Sequence, residues 1–202
     1  MKPFNIVNGK AAPLLAANID TDVIMPKQFL KGIDRQGLDH GVFFDQRFLT
    51  SGEPNPDFIL NQSEWQESTF LVVGPNFGCG SSREHAVWGL KQLGIRALIG
   101  TTFAGIFYDN CQRNGVLIIQ LPENSLLELG QVISNAKSNE IQINLQEQQI
   151  KLKDNSVTHF DIDHLRKTAL LEGLDAVGST LQRKELIDHF EHKYLKTNPW
   201  LQ

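Results

Sequence analysis

The sequence is poor in cysteine, in long apolar runs and in excess charge, and each shortage excludes a class of protein. Its two cysteines, Cys79 and Cys111, are too few for an iron–sulfur cluster, which takes three or four protein ligands. A cytosolic disulfide between them is not expected either. No run approaches the roughly 20 apolar residues of a membrane-spanning helix. With 19 basic and 23 acidic residues, the chain lacks the basic surface typical of nucleic-acid-binding proteins.

The length and the N-terminal sequence set the expected organisation. The chain has 202 residues, which suits one domain. We expect residues 1–202 to form a single domain with a helical tail from residue 161. The opening MKPFNIVNGKAAP has no apolar segment of the kind that a secretory signal needs. A cytoplasmic protein is therefore predicted.

The middle of the chain predicts a strand–helix–strand unit. Residues 70–74 (FLVVG) form a short apolar run, and residues 95–99 (IRALI) form another, as buried strands do. The helix between them ends at Gly94. Ser81 and Glu84 have the spacing of a capping box, which predicts that this helix starts at Ser81.

The rest of the chain extends this pattern. A helix ended by Gly115 precedes a strand at residues 116–121, and a further helix is predicted to start near Asn124 or Ser125. A change to period-two hydrophobicity predicts a hairpin, and two helices follow it (residues 140–152, 163–172 and 180–195). The predicted fold is α/β, with a mixed sheet and C-terminal helices.

The segment NFGCGSSREHA, residues 76–86, carries the features of an anion site. Gly80 and the glycine two residues before it let the backbone turn and approach a ligand. The helix N-terminus offers unpaired N–H groups. Arg83 can hold a carboxylate through two hydrogen bonds, and Ser81 and Ser82 add hydroxyl groups.

Three other interpretations of this segment stay open at the level of the motif alone. A capped helix after a glycine turn needs no function. A phosphate loop is disfavoured because the third glycine and a G-K-[ST] ending are missing. A Ser81–His85 nucleophile–base pair is disfavoured because Arg83 occupies the position at which a G-x-S-x-G elbow has glycine.

NFGCGSSREHA closely resembles the signature of the aconitase swivelling domain, in the form found in small subunits of bacterial 3-isopropylmalate dehydratases. Four further segments resemble this family in the same order, namely NIDTDVIMPKQFL, NPDFILN, FAGIFYDNC and GLDAVGSTLQ. The resemblance therefore covers nearly the whole chain. It implies a three-layer β/β/α domain with a mixed sheet and C-terminal helices.

The resemblance also implies an activity. The family isomerises 2-isopropylmalate to 3-isopropylmalate in leucine biosynthesis, as a hydro-lyase that dehydrates and then rehydrates its substrate. A large subunit would hold a [4Fe–4S] cluster as Lewis acid, and this chain would be active only in a heterodimer or higher assembly with it. Rival hypotheses are a small subunit of homoaconitase or of another hydroxy-diacid hydro-lyase, a non-catalytic anion-binding or assembly domain, and an independent serine hydrolase.

By similarity, Ser81 is the base that moves the proton, and Arg83 and Ser82 hold a substrate carboxylate. The early T-D pair of the family faces the active site, which assigns Asp22 to the site as well. His85 is expected either to contact the wall that faces the cluster or to lie on the helix surface.

Asp20 and the loop at residues 26–37 are two further features predicted near this centre. Asp20 would share a face with Asp22 if their segment is extended, but a helix cap or Asx-turn is favoured for it. The loop at residues 26–37 is expected to select the substrate. Arg35 would bind a carboxylate there, and the loop also has apolar side chains for an isopropyl group (Phe29, Leu30 and Ile33). The loop has two other basic side chains, Lys27 and Lys31, which are expected to be exposed to solvent on the protein surface.

The sequence departs from the family pattern at three positions. Gln46 stands where Trp is expected, Val87 where Pro is expected, and Gly105 where Asp is expected. None lies in the proposed chemistry, but together they leave the choice of hydroxy-diacid open.

Overall fold

The structure, a computed structural model, describes residues 1–31, 35–80 and 82–201. Within these residues seven strands form one sheet: β1 (Ile6–Leu14), β2 (Phe70–Val73), β3 (Ala97–Gly100), β4 (Leu117–Gln120), β5 (Glu140–Asn144), β6 (Gln149–Leu152) and β7 (Val157–His159). The helices are α1 (Thr21–Ile24), α2 (Phe44–Arg47), α3 (Glu84–Gln92), α4 (Gly105–Asn114), α5 (Glu123–Ile133), α6 (His164–Glu172), α7 (Ala176–Leu181) and α8 (Lys184–Thr197).

Strand β1 joins two halves of the sheet, whose strand order is β4-β3-β2-β1-β5-β6-β7. Its second half pairs in parallel with β2, from Ala11 opposite Phe70 onwards. Its first half pairs antiparallel with β5, for example Val7 opposite Ile143. Strands β2, β3 and β4 are parallel, whereas β5, β6 and β7 are antiparallel. The predicted mixed sheet is confirmed, although β1 and β7 were not predicted as strands.

The parallel strands bury side chains on both faces, as strands covered on two sides do. On one face Leu71 and Leu98 pack in a cluster with Leu90 of α3. On the other face Phe70 packs in a cluster that includes α5 and Ile143 of β5, so the sheet curls back over itself. Full burial of each such side chain stabilises the fold by about 1.5–3 kcal/mol. The layers fit the expected β/β/α arrangement.

Helix α3 begins later than its sequence predicted. It starts at Glu84, with Arg83 at the N-cap position in extended conformation and without a side-chain cap hydrogen bond. The predicted capping box is therefore wrong, because the chain becomes helical only after Arg83. Ser81 lies outside the described residues.

The boundaries of helices α4 and α5 agree only in part with those predicted from the sequence. Helix α4 is ended by Gly115, as predicted, and this glycine has the left-handed conformation typical of a helix C-terminus. Helix α5 begins at Glu123, after Pro122 at the N-cap position, so the predicted start near Asn124 or Ser125 is wrong. Proline fixes its own φ near −65° and favours an early start for the helix that follows.

The C-terminal region is helical, as predicted. Helix α6 matches the first predicted helix and α8 matches the second. Helix α7, between them, was not predicted. In α8 no residue is buried. Among the described residues, no helix has the length and apolar composition needed to span a membrane.

Candidate active site

The segments that follow β1 and β2 run side by side at the carboxyl ends of the parallel strands. The Gly78 N–H donates to the Ile19 carbonyl oxygen over 2.8 Å, and the Thr21 N–H donates to the Cys79 carbonyl oxygen over 2.9 Å. In open α/β sheets the carboxyl ends of parallel strands are where ligands bind. The predicted motif and the early T-D segment therefore meet at the edge of the sheet that suits a site.

The glycine turn is packed against α4 and the segment after β3. The Ala104 N–H donates to the Phe77 carbonyl oxygen over 3.1 Å, and the Phe77 ring lies 5.6 Å from the ring of Phe107. Gly78 has φ +75°, and a Cβ there would lie 2.2 Å from the Phe107 ring. Only glycine satisfies both constraints. The turn is thereby fixed just before Gly80, which is exposed.

Helix α1 is short and is capped by Asp20. The Val23 N–H donates to the Asp20 Oδ1 atom over 2.8 Å. The interpretation of Asp20 as a helix cap is confirmed. The alternative in which Asp20 and Asp22 share one face of an extended segment is wrong, because Asp22 lies in the first turn of α1.

Asp22 and Arg83 form an ion pair. The Arg83 side chain is 13% exposed, whereas that of Asp22 is 44% exposed. Because Arg83 occupies the N-cap position of α3, its guanidinium group adds to the positive end of the helix dipole. Two predicted site residues from distant parts of the chain thus lie in contact, and Ser82 lies next to them in an exposed position.

His85 and Arg35 both lie against Trp88 of α3, a residue that the sequence analysis did not single out. The rings of His85 and Trp88 are 4.7 Å apart, and the Arg35 guanidinium carbon lies 4.0 Å from the centroid of the Trp88 ring. Trp88 follows Glu84 by four residues, which places the two on one helix face. That spacing was the available signal for Trp88.

The remaining loop residues divide into packed and exposed positions. Phe29 is half-buried and packs its ring 5.0 Å from Phe44, so part of its surface is used in packing within the domain. Leu30 is also half-buried. Lys27 and Lys31 are exposed, as expected. Ile33 lies outside the described residues.

Comparisons with known proteins show the family of this chain. Residues 1–124 match the family described as the aconitase C-terminal domain. Small subunit 1 of 3-isopropylmalate dehydratase from Mannheimia succiniciproducens is 62% identical over 201 residues, covering 100% of this chain and 99% of the relative. The chain belongs to the family of 3-isopropylmalate dehydratase small subunits.

Other members of this family are similar over the same span. Small subunit 2 of 3-isopropylmalate dehydratase from Salmonella typhimurium is 57% identical over 201 residues, which cover 100% of this chain and 96% of the Salmonella chain. The crystal structure of 3-isopropylmalate dehydratase from Methanocaldococcus jannaschii has a TM-score of 0.65 and 26% identity, covering 92% of this chain and 99% of that chain. The family resemblance and the α/β fold class are both confirmed.

The residues of this family member do not fit an iron–sulfur cluster of their own. Across residues 1–31, 35–80 and 82–201, no group of three or more His, Cys, Asp or Glu side chains is arranged to hold a metal ion. Cys111 is fully buried, and burial raises the pKa of its thiol well above the ordinary value. Cys79 is half-buried and unpaired with any other cysteine.

One of the departures from the family pattern is compatible with its surroundings. Val87 is fully buried in the core, where an apolar side chain of its size is accommodated. Gly105 begins α4, and a Cβ at this position would have nothing within 4 Å, so nothing in the structure explains its replacement of Asp. Gln46 is exposed, and nothing in the structure explains its replacement of Trp.

Proposed function

We propose that this chain is the small subunit of a 3-isopropylmalate dehydratase and forms one wall of its active site. The reaction would isomerise 2-isopropylmalate to 3-isopropylmalate through the unsaturated diacid 2-isopropylmaleate. The single observation that carries the proposal is the Asp22–Arg83 ion pair at the N-terminal end of α3. It joins two family motifs at the carboxyl edge of the parallel strands.

Arg83 is proposed to bind one carboxylate of the substrate. Its planar guanidinium group can donate two parallel hydrogen bonds to a carboxylate, and the helix N-terminus favours the negative charge. Asp22 contacts Arg83 and so limits the orientations that the guanidinium group can take. The exposed Ser82 adds a hydroxyl donor beside it, and the backbone at Gly80 lets the substrate approach closely.

Ser81 is proposed to be the catalytic base, on the strength of the motif NFGCGSSREHA. It would remove the proton from the carbon next to a carboxylate and return it to the neighbouring carbon after the hydroxyl group has changed places. A serine hydroxyl is a weak base, so its alkoxide needs stabilisation. Arg83 and the end of α3 supply positive charge within two residues of it in sequence.

The large subunit is the proposed partner, in a cytoplasmic complex that is at least heterodimeric. The [4Fe–4S] cluster is assigned to that subunit, where its iron would act as the Lewis acid for the departing hydroxyl group. The assignment rests on the match of residues 1–124 to the aconitase C-terminal domain family.

A reconstitution assay tests the proposal. This chain is mixed anaerobically with the cluster-loaded large subunit, and the absorbance of 2-isopropylmaleate is followed from 2-isopropylmalate. We expect activity only in the mixture, with a loss of about 10³-fold in Ser81→Ala, since general acid–base groups contribute about 10²–10⁴-fold. Ser63→Ala, at an exposed serine, is the matched control.

The other outcomes separate the rival functions. Turnover of homocitrate or citrate without turnover of 2-isopropylmalate would assign a different hydroxy-diacid to the same machinery. Full activity in Ser81→Ala would indicate an assembly or anion-binding domain. Activity of this chain without a partner would indicate an independent hydrolase and would contradict the proposal.

A further inference from the structure

The guanidinium group of Arg35 lies over the ring of Trp88. Its guanidinium carbon is 4.0 Å from the centroid of the Trp88 ring, which is a cation–π contact. In the part of the chain that the structure describes, this guanidinium group has no hydrogen-bond acceptor and no ion-pair partner. Because Arg35 is exposed, its N–H groups are available to an anion.

The Trp88 ring is itself held in place by α4. Its indole N–H donates to Asn114 Oδ1 over 3.0 Å. The Asn114 amide then donates to Glu84 Oε1 and to the Asn110 carbonyl oxygen, each over 2.8 Å. Asn114 therefore links Trp88 to the first turn of α3 and to the last turn of α4. A ring fixed on one edge in this way can present its face in a defined direction.

The backbone of Arg35 is attached to the same helix. The Gln92 side-chain amide donates to the Arg35 carbonyl oxygen, and its Oε1 atom accepts from the Leu38 N–H over 2.8 Å. Trp88 and Gln92 are four residues apart and lie on one face of α3. Both the side chain and the main chain of Arg35 are thus fixed to the helix whose N-terminal end carries Arg83.

We propose that Trp88 is a positioning residue that presents Arg35 to the second carboxylate of a dicarboxylate substrate. This inference rests on the proposed function. Arg83, paired with Asp22, binds one carboxylate, and Arg35, which has no carboxylate partner among the described residues, binds the other. Both arginines are attached to α3, Arg83 at its N-cap position and Arg35 through Trp88 and Gln92.

The opposing explanation is that the stack only closes the loop onto α3. In that case Trp88→Leu would lower stability and affect all kinetic constants through loss of folded protein. Positioning predicts instead an effect on substrate binding that depends on the presence of Arg35. The kinetic coupling between the two residues separates these explanations.

The experiment uses the reconstituted complex with 2-isopropylmalate and the variants Arg35→Gln, Trp88→Leu and the double variant. We expect Trp88→Leu to raise KM about tenfold and Arg35→Gln to raise it about 30-fold, with kcat within about threefold of wild type. The double variant should match Arg35→Gln, because Trp88 acts through Arg35. Trp88→Phe, which keeps an aromatic face, should recover most of the affinity. Lys91→Gln, on the same helix, is the control.

Three results would overturn the inference while leaving the proposed function intact. The first is an unchanged KM in Trp88→Leu. The second is a KM in the double variant that rises by the product of the two single-variant increases. The third is a fall in kcat with no change in KM in the single variants. Thermal unfolding of each variant excludes a loss caused by misfolding, and Arg35→Gln, at an exposed position, provides the folded reference. A wild-type complex that converts no diacid would overturn the proposed function and this inference together.

Discussion

The carboxylate of Asp22 contacts the guanidinium group of Arg83 across 61 residues of sequence. The contact joins α1 to the start of α3 at the edge of the sheet where the family motifs meet. Arg83 is the more buried partner, with 13% of its side chain exposed against 44% for Asp22. Asp22 therefore compensates the charge of a cation that has little access to water.

Asp22→Asn removes the charge of this pair and keeps the shape of the side chain. We expect kcat/KM of the reconstituted complex to fall about 100-fold, because a small displacement of Arg83 is enough for that loss. Stability should fall by about 1–3 kcal/mol, because the largely buried Arg83 loses its charged partner. Asp109→Asn, which breaks the surface pair with Arg166, is the control and should leave activity unchanged. An equal loss in both variants would contradict the assignment of Asp22 to the site.

Asp20→Ala removes the cap of α1 and should reduce activity through Asp22. Loss of an N-cap hydrogen bond costs about 1 kcal/mol, or a fall of about 2–4 °C in Tm for a chain of this size. Asp175→Ala removes the equivalent bond from Asp175 to Gly178 at the start of α7. Calorimetry should show a similar loss of stability in both variants. Only Asp20→Ala should also lower kcat/KM, by at least about tenfold. Asp20→Ser, which keeps a capping oxygen, should restore both the stability and kcat/KM. Unchanged activity in Asp20→Ala would show that α1 does not position Asp22.

Gly78→Ala should destabilise the chain far more than Gly52→Ala. Both glycines have positive φ, +75° and +87°, so each substitution carries the left-handed penalty of about 1–2 kcal/mol. A Cβ at Gly78 would also lie 2.2 Å from the Phe107 ring, whereas one at Gly52 would meet nothing within 4 Å. Overpacking adds about 1–3 kcal/mol at Gly78 alone. Equal free energies of unfolding in urea for the two variants would contradict the close packing of the turn on Phe107.

Short apolar runs predicted the parallel strands, period-two hydrophobicity predicted the hairpin, and the ordered motifs predicted the family. Phe70 to Val73 form β2 because four consecutive apolar side chains can be buried on both faces. Strand β1 was missed because it includes Asn8, Gly9, Lys10 and Pro13, which are poor strand formers. Its place in the sheet is fixed by pairing with β2 and β5 on opposite edges, which no local pattern shows.

The sequence named candidate residues for the site, but it did not predict how these residues are arranged or which of them are in contact. The capping-box spacing of Ser81 and Glu84 suggested an earlier helix start, yet Arg83 is extended and faces Asp22 instead. The role of Trp88 could not be read from the sequence, because its partners Arg35 and Asn114 come from other elements. Contacts between distant segments depend on the sheet topology and therefore follow only from the fold.

The two cysteines should differ sharply in reactivity, and the difference tests both the fold and the site. Cys111 is fully buried and burial raises its pKa, so little thiolate forms. Cys79 is half-buried between Gly78 and Gly80. Iodoacetamide at about pH 8 should therefore add to Cys79 alone in the native chain, and to both cysteines in guanidinium chloride, as followed by intact mass.

Cys79→Ser is the control for this labelling and should give no adduct until the chain unfolds. If the proposed site faces the large subunit, assembly of the complex should slow the labelling of Cys79 by at least about tenfold, because the partner would cover the glycine turn. Rapid native labelling of Cys111 would contradict its burial against α3 and the parallel strands. If Cys79 is labelled as fast in an active complex as in the free chain, the glycine turn stays open to solvent. Residues other than those around Gly80 would then have to enclose the substrate.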